Sequence, residues 1–574
     1  MALSRCHLCW DCPGRGWSNC RRRNWRDLVA ELLKICRFPR CRNDFRRWVG
    51  GFWLGRPRDC FAATHSSARG TSSSTTAARL DARTHNGSPA AMEQNEMLVQ
   101  DKMTTVILGG TVVTGRSAQA PLPSHDVWLS GEKIVAIAPS GERSVPAECD
   151  VVDARHAIVM PGLIDSHRHL WQTTLRGMCS DMIAPEYRHQ LREALVPFFR
   201  PQDVYAATLA GALELIDCGI TTVLDWVHIL NSPEHADASV AALQASGMRA
   251  VFAHSAPNDT DAPLWWSNSD RKHPSDVRRL RKKLSDDEAL VTMAFAARAP
   301  QLVQREVRVH DWHLARELGL RIATDGGIGG GLWGGRTYPI RLLQQDDLLW
   351  PGTVYIHCNN LAPDEYDLIA GTGGHISISP CAEMFVGFGM PATQNALSHG
   401  TRPALSTDSV IFVAGDMFGT MRSTLSSLRG MLGYEATLAD KGVEPWDITT
   451  ADILEMATAR GAAALGLSDR TGTLEVGKSA DIVLLNTRSV RLSPLNNPLS
   501  TIVLLATPAD VETVLIAGKI VKKNGVLTNF DLNAVIDGVT KSRDWLVAKG
   551  GSQLGPAVKR RLADSGFDHL TITD

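Results

Sequence analysis

Two histidines separated by one residue end an apolar run in the first third of the chain. They are His167 and His169 in the stretch PGLIDSHRHLWQ, where Leu163 and Ile164 have the apolar character of a buried strand. Side chains of a strand alternate between its two faces, so residues two apart point to the same side. Imidazole is the commonest metal ligand among side chains. The stretch therefore predicts two nitrogen ligands that converge on one metal ion.

Three more residues that can bind a metal or move a proton lie at the ends of short apolar runs. His357 follows the run in TVYIHCNN, Asp408 lies in RPALSTDS and Asp325 lies in LRIATDGG. In a parallel α/β barrel the carboxyl ends of the strands meet on one face, and that face carries the active site. If these runs are barrel strands, their terminal side chains are neighbours of the two histidines.

The alternation of helices and strands supports such a barrel. From about residue 200 onward, helical segments such as PQDVYAATLAGALELIDCGI precede short apolar runs such as TTVLDW. About eight such units predict an α/β fold, a closed (β/α)8 TIM-like barrel at residues 160–467. Short strands with glycine turns at residues 103–159 and 468–530 predict a small β-sandwich built from both flanks of the barrel. Residues 531–574 are predicted to form a helical tail.

The first 102 residues differ from the rest in charge and composition. Residues 1–60 carry fourteen Arg and Lys against five Asp and Glu, and this charge of +9 leaves −10 for the rest, since the 574-residue chain has a net charge of −1. A Ser-, Thr- and Ala-rich stretch follows, so we predict that residues 1–102 form a disordered basic leader and linker. The acidic body argues against nucleic-acid binding.

Composition also argues against a membrane protein and a disulfide-stabilised protein. No apolar run approaches the ~20 residues that a membrane span needs. Seven of the twelve cysteines lie in the first 60 residues and the others are scattered, which is no disulfide framework. We therefore predict a cytoplasmic protein that acts on a small molecule, and the sequence leaves a homo-oligomeric state open.

The ordered set of motifs resembles the amidohydrolase superfamily, in particular cytosine deaminase and the triazine hydrolases. The resemblance rests on PGLIDSHRH, IHCNN, STDS and GTLEVGKSADIVLLN, which lie in the family's order between about residues 104 and 530. It implies that His167 and His169 bind one divalent ion and that Asp408 is both a ligand and the proton carrier. It also implies that His357 orients the attacking water or the substrate. The implied ion is Zn²⁺, with Fe²⁺ or Mn²⁺ as alternatives, and metal-bound hydroxide is the implied nucleophile.

The fifth barrel strand departs from the family's pattern. The family places a histidine ligand there, often with a glutamate three residues later, whereas this sequence has Asp325 and Ile328. A carboxylate also coordinates zinc, so we predict Asp325 as a metal ligand. Glu383 in SPCAEMFVG follows a later strand at the same rim and is a candidate for the missing acid. A solvated loop acid is the alternative interpretation of Glu383.

Aromatic and amide side chains after the strands predict a substrate pocket. Trp171, Trp226 and Trp333 follow strands one, two and five, where their rings can wall a site for a flat molecule. Gln172 lies beside the histidine pair and can hydrogen-bond a substrate. We assign substrate binding to Trp171, Gln172 and Trp333. The glycine-rich stretch DGGIGGGLWGG, which contains Trp333, predicts a mobile lid over the site.

Two functions follow from these residues. The first is hydrolysis of a carbon–nitrogen bond, other than a peptide bond, in a cyclic amidine, amide or amino-heterocycle. The second is a barrel with impaired catalysis that serves as a binding or scaffold protein. Asp325 alone favours the second function. The histidine pair, His357 and Asp408 favour the enzyme, because a decayed site is expected to lose more than one group.

Overall fold

Two β-sheets organise the part of the chain that the computed structural model describes, which is residues 103–328, 335–445, 447–555 and 559. The predictions for residues 1–102 and for Trp333 lie outside these residues. The first sheet is made of β1 (Thr105–Val112), β2 (Leu122–Ser130), β3 (Lys133–Pro139), β4 (Asp150–Asp153), β5 (Ala157–Pro161), β14 (Ile482–Asn486), β15 (Val511–Ile516), β16 (Lys519–Lys523) and β17 (Val526–Leu527).

The second sheet is the predicted barrel. Its eight strands are parallel, and each pairs with the strand that follows it in the chain. They are β6 (Leu163–Arg168), β7 (Ile220–Val227), β8 (Arg249–His254), β9 (Val291–Ala297), β10 (Ile322–Asp325), β11 (Val354–Ile356), β12 (His375–Ile378) and β13 (Ala404–Leu405). This arrangement confirms the predicted (β/α)8 class.

Helices connect the barrel strands and continue beyond them. Those of five or more residues are α1 (Pro201–Asp217), α2 (Pro233–Ser246), α3 (Ala262–Trp266), α4 (Asp276–Lys283), α5 (Arg305–Glu317), α6 (Pro339–Gln345), α7 (Pro363–Gly371), α8 (Pro380–Phe385), α9 (Thr393–Ser398), α10 (Met417–Leu438), α11 (Thr450–Met456), α12 (Ala459–Leu465) and α13 (Leu532–Gly550). Besides these α-helices, a 3₁₀ helix occupies Leu170–Leu175, and the segment from Ala184 to Phe198 combines short α, π and 3₁₀ turns. None of the helices in the described residues is both long enough and apolar enough to span a membrane.

Local sequence explains where several of these helices begin and end. Proline stands at the first position of α1, α2, α6, α7 and α8, where its missing N–H costs no helical hydrogen bond. The Asp203 side chain accepts the backbone N–H of Arg200 at 2.9 Å and so caps α1. Gly247 ends α2 with a φ of 69°, a conformation that glycine adopts without steric cost.

The barrel interior and its outer layer contain side chains of different sizes. The interior below the site is filled mainly by small or branched groups, including Ile164, Leu224, Val251, Ala253, Ala294, Ala296, Ala323, Val354 and Ile356. Larger side chains such as Phe252, Phe295 and Tyr355 point outward and pack under the helices. This alternation within each strand leaves the strand ends as the place where polar side chains can gather.

Strands from both flanks of the barrel share the first sheet. β5 pairs antiparallel with β14, with Met160 opposite Val483, and β5 continues almost directly into the first barrel strand. After the sheet, α13 packs against α1, and the Trp545 indole donates to the carbonyl of Phe198 at 3.2 Å. The sheet thereby fixes the start of β6, the strand that carries the histidine pair.

The barrel seam closes at the residues that the sequence predicts as ligands. The backbone N–H of His169 donates to the carbonyl of Asp408 at 3.0 Å, and the N–H of Asp408 donates to the carbonyl of His167 at 3.1 Å. Behind this bridge the Arg168 guanidinium donates to Thr407 Oγ1 at 2.9 Å, and the Asp165 carboxylate accepts the Thr407 N–H at 3.1 Å. The first and last barrel strands therefore meet through the backbone of the candidate site.

Candidate active site and metal centre

Three predicted ligands form a compact group at the carboxyl end of the barrel. The Nε2 atoms of His167 and His169 lie 3.6 and 3.5 Å from Oδ1 of Asp408, and the ligand atoms of all three lie within 4.8 Å of one another. The pairing of β6 with β7 has a register shift between Asp165 and Arg168, in the part of the strand that contains His167. Two imidazoles and one carboxylate are a donor set that suits a divalent transition metal.

Unpartnered atoms support the fit of a metal ion. Both ring nitrogens of His167 are buried and have no hydrogen-bond partner among the described residues. His169 Nδ1 lies 2.8 Å from the carbonyl of Trp226. Since a carbonyl only accepts, Nδ1 carries the hydrogen and Nε2 presents its lone pair to the cluster. Buried polar atoms are rarely left without a partner, so an ion between these ligands accounts for them.

The charges of the ligands also suit a cation. Burial, assisted by the neighbouring His167, lowers the pKa of His169 to about 3, so this imidazole is neutral. Burial alone would raise the pKa of Asp408, but the imidazoles of His167, His357 and His169 outweigh it and hold that pKa below its ordinary value. A neutral nitrogen donor and an ionised carboxylate are the protonation states that metal binding needs.

Asp325 reaches the same cavity but stands apart from the three-residue group. It ends β10 and lines the cavity together with His167, His169 and Asp408. It does not belong to the group whose ligand atoms all lie within 4.8 Å of one another. Burial raises the pKa of Asp325, although the charges of His357 and His167 act in the opposite direction. The prediction that Asp325 binds the metal remains a prediction.

Substitution of Asp325 tests that prediction. We expect Asp325→His to keep or increase the affinity for Zn²⁺, because imidazole supplies a neutral nitrogen donor that needs no deprotonation near neutral pH. We expect Asp325→Ala to lower the affinity about tenfold or more. Competition with a chromophoric chelator measures both, and Asp364→Ala, which changes an exposed aspartate on α7, is the matched control. Unchanged affinity in Asp325→Ala would remove Asp325 from the ligand set.

His357 and Glu383 form a buried pair beside the ligands. His357 Nδ1 lies 3.0 Å from Glu383 Oε1, which also accepts the N–H of Ser379 at 2.7 Å. Burial alone would lower the pKa of His357, but the hydrogen bond to Glu383 and the charge of Asp408 raise it to about 9. Glu383 is fully buried, so its interpretation as a solvated loop acid is wrong. The pair presents a cationic imidazole 5.5 Å, ring to ring, from His167.

The backbone at these positions is strained. The φ values of His357, Cys358 and Asp408 are 69°, 60° and 59°. They lie in the left-handed region, which is unfavourable for residues other than glycine. Such conformations cost about 1 kcal/mol each and persist where surrounding contacts impose them. At Asp408 the seam hydrogen bonds impose the conformation, and at His357 the backbone N–H donates to the carbonyl of Ser377 at 2.8 Å. Two of the three residues, His357 and Asp408, have proposed chemical roles.

Aromatic and cationic side chains wall the cavity, which has a volume of about 140 Å³. Among those that line it are Tyr187, Arg188, Arg192, Trp226, His228, Trp266, Phe388 and Phe412. The His228 ring stacks on His169 with centroids 4.2 Å apart, and burial lowers the pKa of His228. His228 thus contacts a candidate metal ligand directly.

Two of the predicted substrate contacts have other partners in the structure. Trp171 is fully buried behind His228 and donates its indole N–H to His228 Nδ1 at 3.0 Å, so it supports the wall and does not line it. Gln172 does line the cavity, where its Nε2 donates to the Tyr187 hydroxyl at 2.6 Å and its Oε1 accepts from Ser409. Its substrate contact remains a prediction.

Sequence reasoning did not find Tyr187, Arg188 or Arg192. All three lie on the helical segment Tyr187–Arg192, which follows the first barrel strand and has π-helical hydrogen bonding. No motif marks this segment, and its charged and aromatic residues resemble those of any surface helix. The one available signal was its place after β6, since the loops at the carboxyl ends of barrel strands line the active site.

The model of the amidohydrolase family matches residues 158–521. A 5-methylthioadenosine/S-adenosylhomocysteine deaminase of Syntrophobacter fumaroxidans is 28% identical over 427 residues, which are 73% of this chain and 92% of the relative. A 5'-deoxyadenosine deaminase of Methanothermobacter thermautotrophicus is 27% identical over 393 residues, with 67% and 86% coverage.

Solved structures show the same architecture. A zinc-bound adenosine deaminase from Xanthomonas campestris superposes with a TM-score of 0.65 at 24% identity and covers 77% of this chain and 98% of that one. The zinc complex of an atrazine chlorohydrolase from Arthrobacter aurescens gives 0.66 at 21% identity, with 77% and 100% coverage. The predicted family and the predicted class of hydrolase acting on carbon–nitrogen bonds other than peptide bonds are confirmed. Since the family match spans well over half of the sequence and every barrel strand, this chain belongs to the amidohydrolase family.

Proposed function

We propose that the protein is a metal-dependent deaminase that replaces the exocyclic amino group of a flat amino-heterocycle, of the aminopurine type, by oxygen and releases ammonia. The curated relatives named above deaminate adenine nucleosides, which supports this substrate class. The observation that carries the proposal is the charged His357–Glu383 pair that faces the histidine–aspartate cluster in an aromatic cavity. A scaffold function would not require a buried ion pair next to a group of metal ligands.

His167, His169 and Asp408 would hold the metal ion, with Asp325 as a further ligand. We propose Zn²⁺, since both solved structures described above contain zinc. When bound, such an ion lowers the pKa of water from about 16 towards about 7 and so supplies a nucleophile at neutral pH. We also propose a cytoplasmic location, since the scattered cysteines of residues 103–574 do not have the spacing of a disulfide framework.

Residues of the chain carry out proton transfer, charge stabilisation and binding of the ring. Asp408 Oδ1 accepts a proton from the attacking water and delivers it to the departing amine, which leaves as ammonia. The cationic His357, held by Glu383, donates a hydrogen bond to the ring nitrogen that develops negative charge when water attacks the neighbouring carbon. Trp226 and Phe388, which line the cavity, offer aromatic surfaces for a flat ring.

Ammonia release from a panel of substrates tests the proposed function. The zinc-loaded full chain is expected to release ammonia from adenosine, 5'-deoxyadenosine or a smaller amino-heterocycle in at least one case. Coupled detection of ammonia and the loss of the amino-heterocycle absorbance give two independent readouts. A metal-loaded protein that turns over no member of the panel, while an unrelated deaminase does so under the same conditions, would contradict the proposal.

Glu383→Gln tests the ion pair. The folded-state pKa of His357, about 9, lies above its ordinary value, so its charge is present below that pH and is lost as the pH rises through it. The amide removes the negative partner, and we expect kcat to fall about tenfold or more, with its alkaline limb moved about one pH unit lower. The pH profile of kcat measures both effects. Glu365→Gln, which alters another buried glutamate that caps α7, should leave the limb in place.

A further inference from the structure

Arg192 is a charged residue in the wall of the cavity, and one NH₂ group of its guanidinium has no hydrogen-bond partner among the described residues. It ends the helical segment Tyr187–Arg192 and lines the cavity beside His169, Trp226 and Asp325. Its Nε donates to Asn258 Oδ1 at 3.1 Å. Its Nη2 is buried and has no hydrogen-bond partner in the described part of the chain. A guanidinium carries five N–H donors, and the two on Nη2 are therefore available to a ligand.

Two contacts hold this guanidinium in a fixed direction. Asn258, whose amide oxygen accepts from Arg192, is 2% exposed, and its backbone is held by a hydrogen bond from its N–H to Asn231 Oδ1 at 2.9 Å. The Arg192 Cζ atom lies 5.0 Å from the ring centroid of Trp266, a cation–π contact. With Nε engaged and one face on an indole, the guanidinium edge formed by the Nη atoms is left to bind an acceptor.

The neighbouring Arg188 is different. Its Nη2 donates to the backbone carbonyl of Trp266 at 2.8 Å, so the protein itself provides an acceptor. Burial lowers the pKa of both arginines, which reflects the cost of holding two cations in this wall. Asp325 is the carboxylate of the cavity whose charge acts on Arg192, and it stands in the candidate metal site. The charges of Asp325 and Glu193 act on Arg192, but no carboxylate among the described residues accepts a hydrogen bond from its Nη2.

From this arrangement we propose that Arg192 is a specificity-determining residue and that the substrate is an amino-heterocycle with an anionic substituent, a carboxylate or a phosphate. The inference rests on the proposed deaminase function and adds the substrate's charge to it. A planar fork of N–H donors matches the oxygens of either anion, and it does so in two parallel hydrogen bonds. The aromatic side chains of the wall contact the flat ring, and the guanidinium of Arg192 binds its charged substituent.

Binding of uncleavable probes tests this inference. Calorimetric titration of the zinc-loaded full chain compares uracil with orotate, its carboxylate, and inosine with inosine 5'-monophosphate. We expect at least one anionic probe to bind about 30-fold or more tightly than its neutral partner, the scale of a charge-assisted bidentate contact. The pair that shows the preference identifies carboxylate or phosphate as the anion.

Variants assign the preference to Arg192. In Arg192→Met the ratio of the two affinities should fall to within about threefold of one, and Arg192→Lys should retain part of it, since a point charge replaces the fork. Arg188→Met is the matched control and should keep the wild-type ratio within about threefold. Thermal unfolding verifies that each variant is folded. If Arg192→Met does not fold, Arg192→Lys replaces it in the comparison of affinities.

Three results would overturn the inference. The first is equal binding of both anionic probes and their neutral partners by the wild type. The second is a preference that Arg192→Met retains in full, which would place the anion on the metal. The third is an equal loss in Arg188→Met, which would assign the preference to the general field of the wall. Release of ammonia from neutral adenosine is measured in parallel, so deamination without any anion preference would leave the proposed function standing and remove only this inference.

Discussion

Replacing both His167 and His169 with alanine is expected to abolish stoichiometric metal binding. Zinc sites in small domains bind with about 10–16 kcal/mol shared among about four ligands, so the loss of two nitrogens should lower the affinity about 10³-fold or more. The buried carboxylates of Asp408 and Asp325 would then lack the charge of the ion that compensates them, which destabilises the empty site further. Elemental analysis after dialysis with Zn²⁺ gives the number of ions per chain, expected to be about one for the wild type.

The control for this experiment removes a histidine from the opposite end of the barrel. His375 begins β12, far along the strand from its carboxyl end, and burial lowers its pKa to about 4. His375→Ala therefore also removes a neutral imidazole but should leave the metal content unchanged. A wild-type protein that remains metal-free after exposure to Zn²⁺, Fe²⁺ and Mn²⁺, or a double variant that still binds one ion, would exclude the histidine pair as ligands.

Asp408→Asn is expected to lower kcat about 100-fold or more, the scale of a lost general acid–base group. The amide keeps the size of the side chain and an oxygen that can face the metal, but it cannot accept the proton of the attacking water. The measurement is the rate of ammonia release at saturating substrate and saturating Zn²⁺, with the metal content determined on the same samples. A loss of kcat at full metal occupancy assigns the effect to proton transfer.

Asp416→Asn is the matched change on the same side of the barrel. Asp416 caps α10, where its carboxylate accepts the N–H of Gly419 at 2.6 Å, and an amide oxygen can accept the same bond. We expect this variant to keep kcat within about twofold, since surface and cap changes of this kind act on stability. Turnover by Asp408→Asn at the wild-type rate would contradict the proton-carrier role even if the protein is a deaminase.

The parts of the site that lie on strand ends could be predicted from the sequence. His167 and His169 share a face because strands have a period of two, and Asp408 reaches them because all barrel strands end on one rim. His357 reaches the rim by the same rule, although its side chain depends on a left-handed backbone that no local pattern signals. The rule uses only periodicity and direction, so it succeeds where the backbone is regular.

The parts that lie on irregular segments could not be predicted. Arg192 lines the cavity from a π-helical turn. Glu383 could be predicted as an acid of the rim, but no sequence pattern signals its hydrogen bond to His357, which joins α8 to the residue that follows β11. Trp171 and Gln172 illustrate the same limit, since adjacent residues after one strand differ in which lines the cavity. These orientations depend on long-range packing, which neither propensity nor spacing encodes.

The site is assembled when the barrel closes, because the seam between β6 and β13 brings its ligands together. Asp165 and Thr407 meet across 242 positions of sequence, so their contact has a large loop-closure entropy and forms only when the intervening strands are in place. In an open barrel the two histidines and Asp408 lie on opposite edge strands, whose free N–H and C=O groups can pair with other chains and aggregate. An ion that binds only the closed form adds its binding free energy to closure. Metal loading should therefore slow hydrogen exchange at the amides of His169 and Asp408 and protect the refolding chain from aggregation.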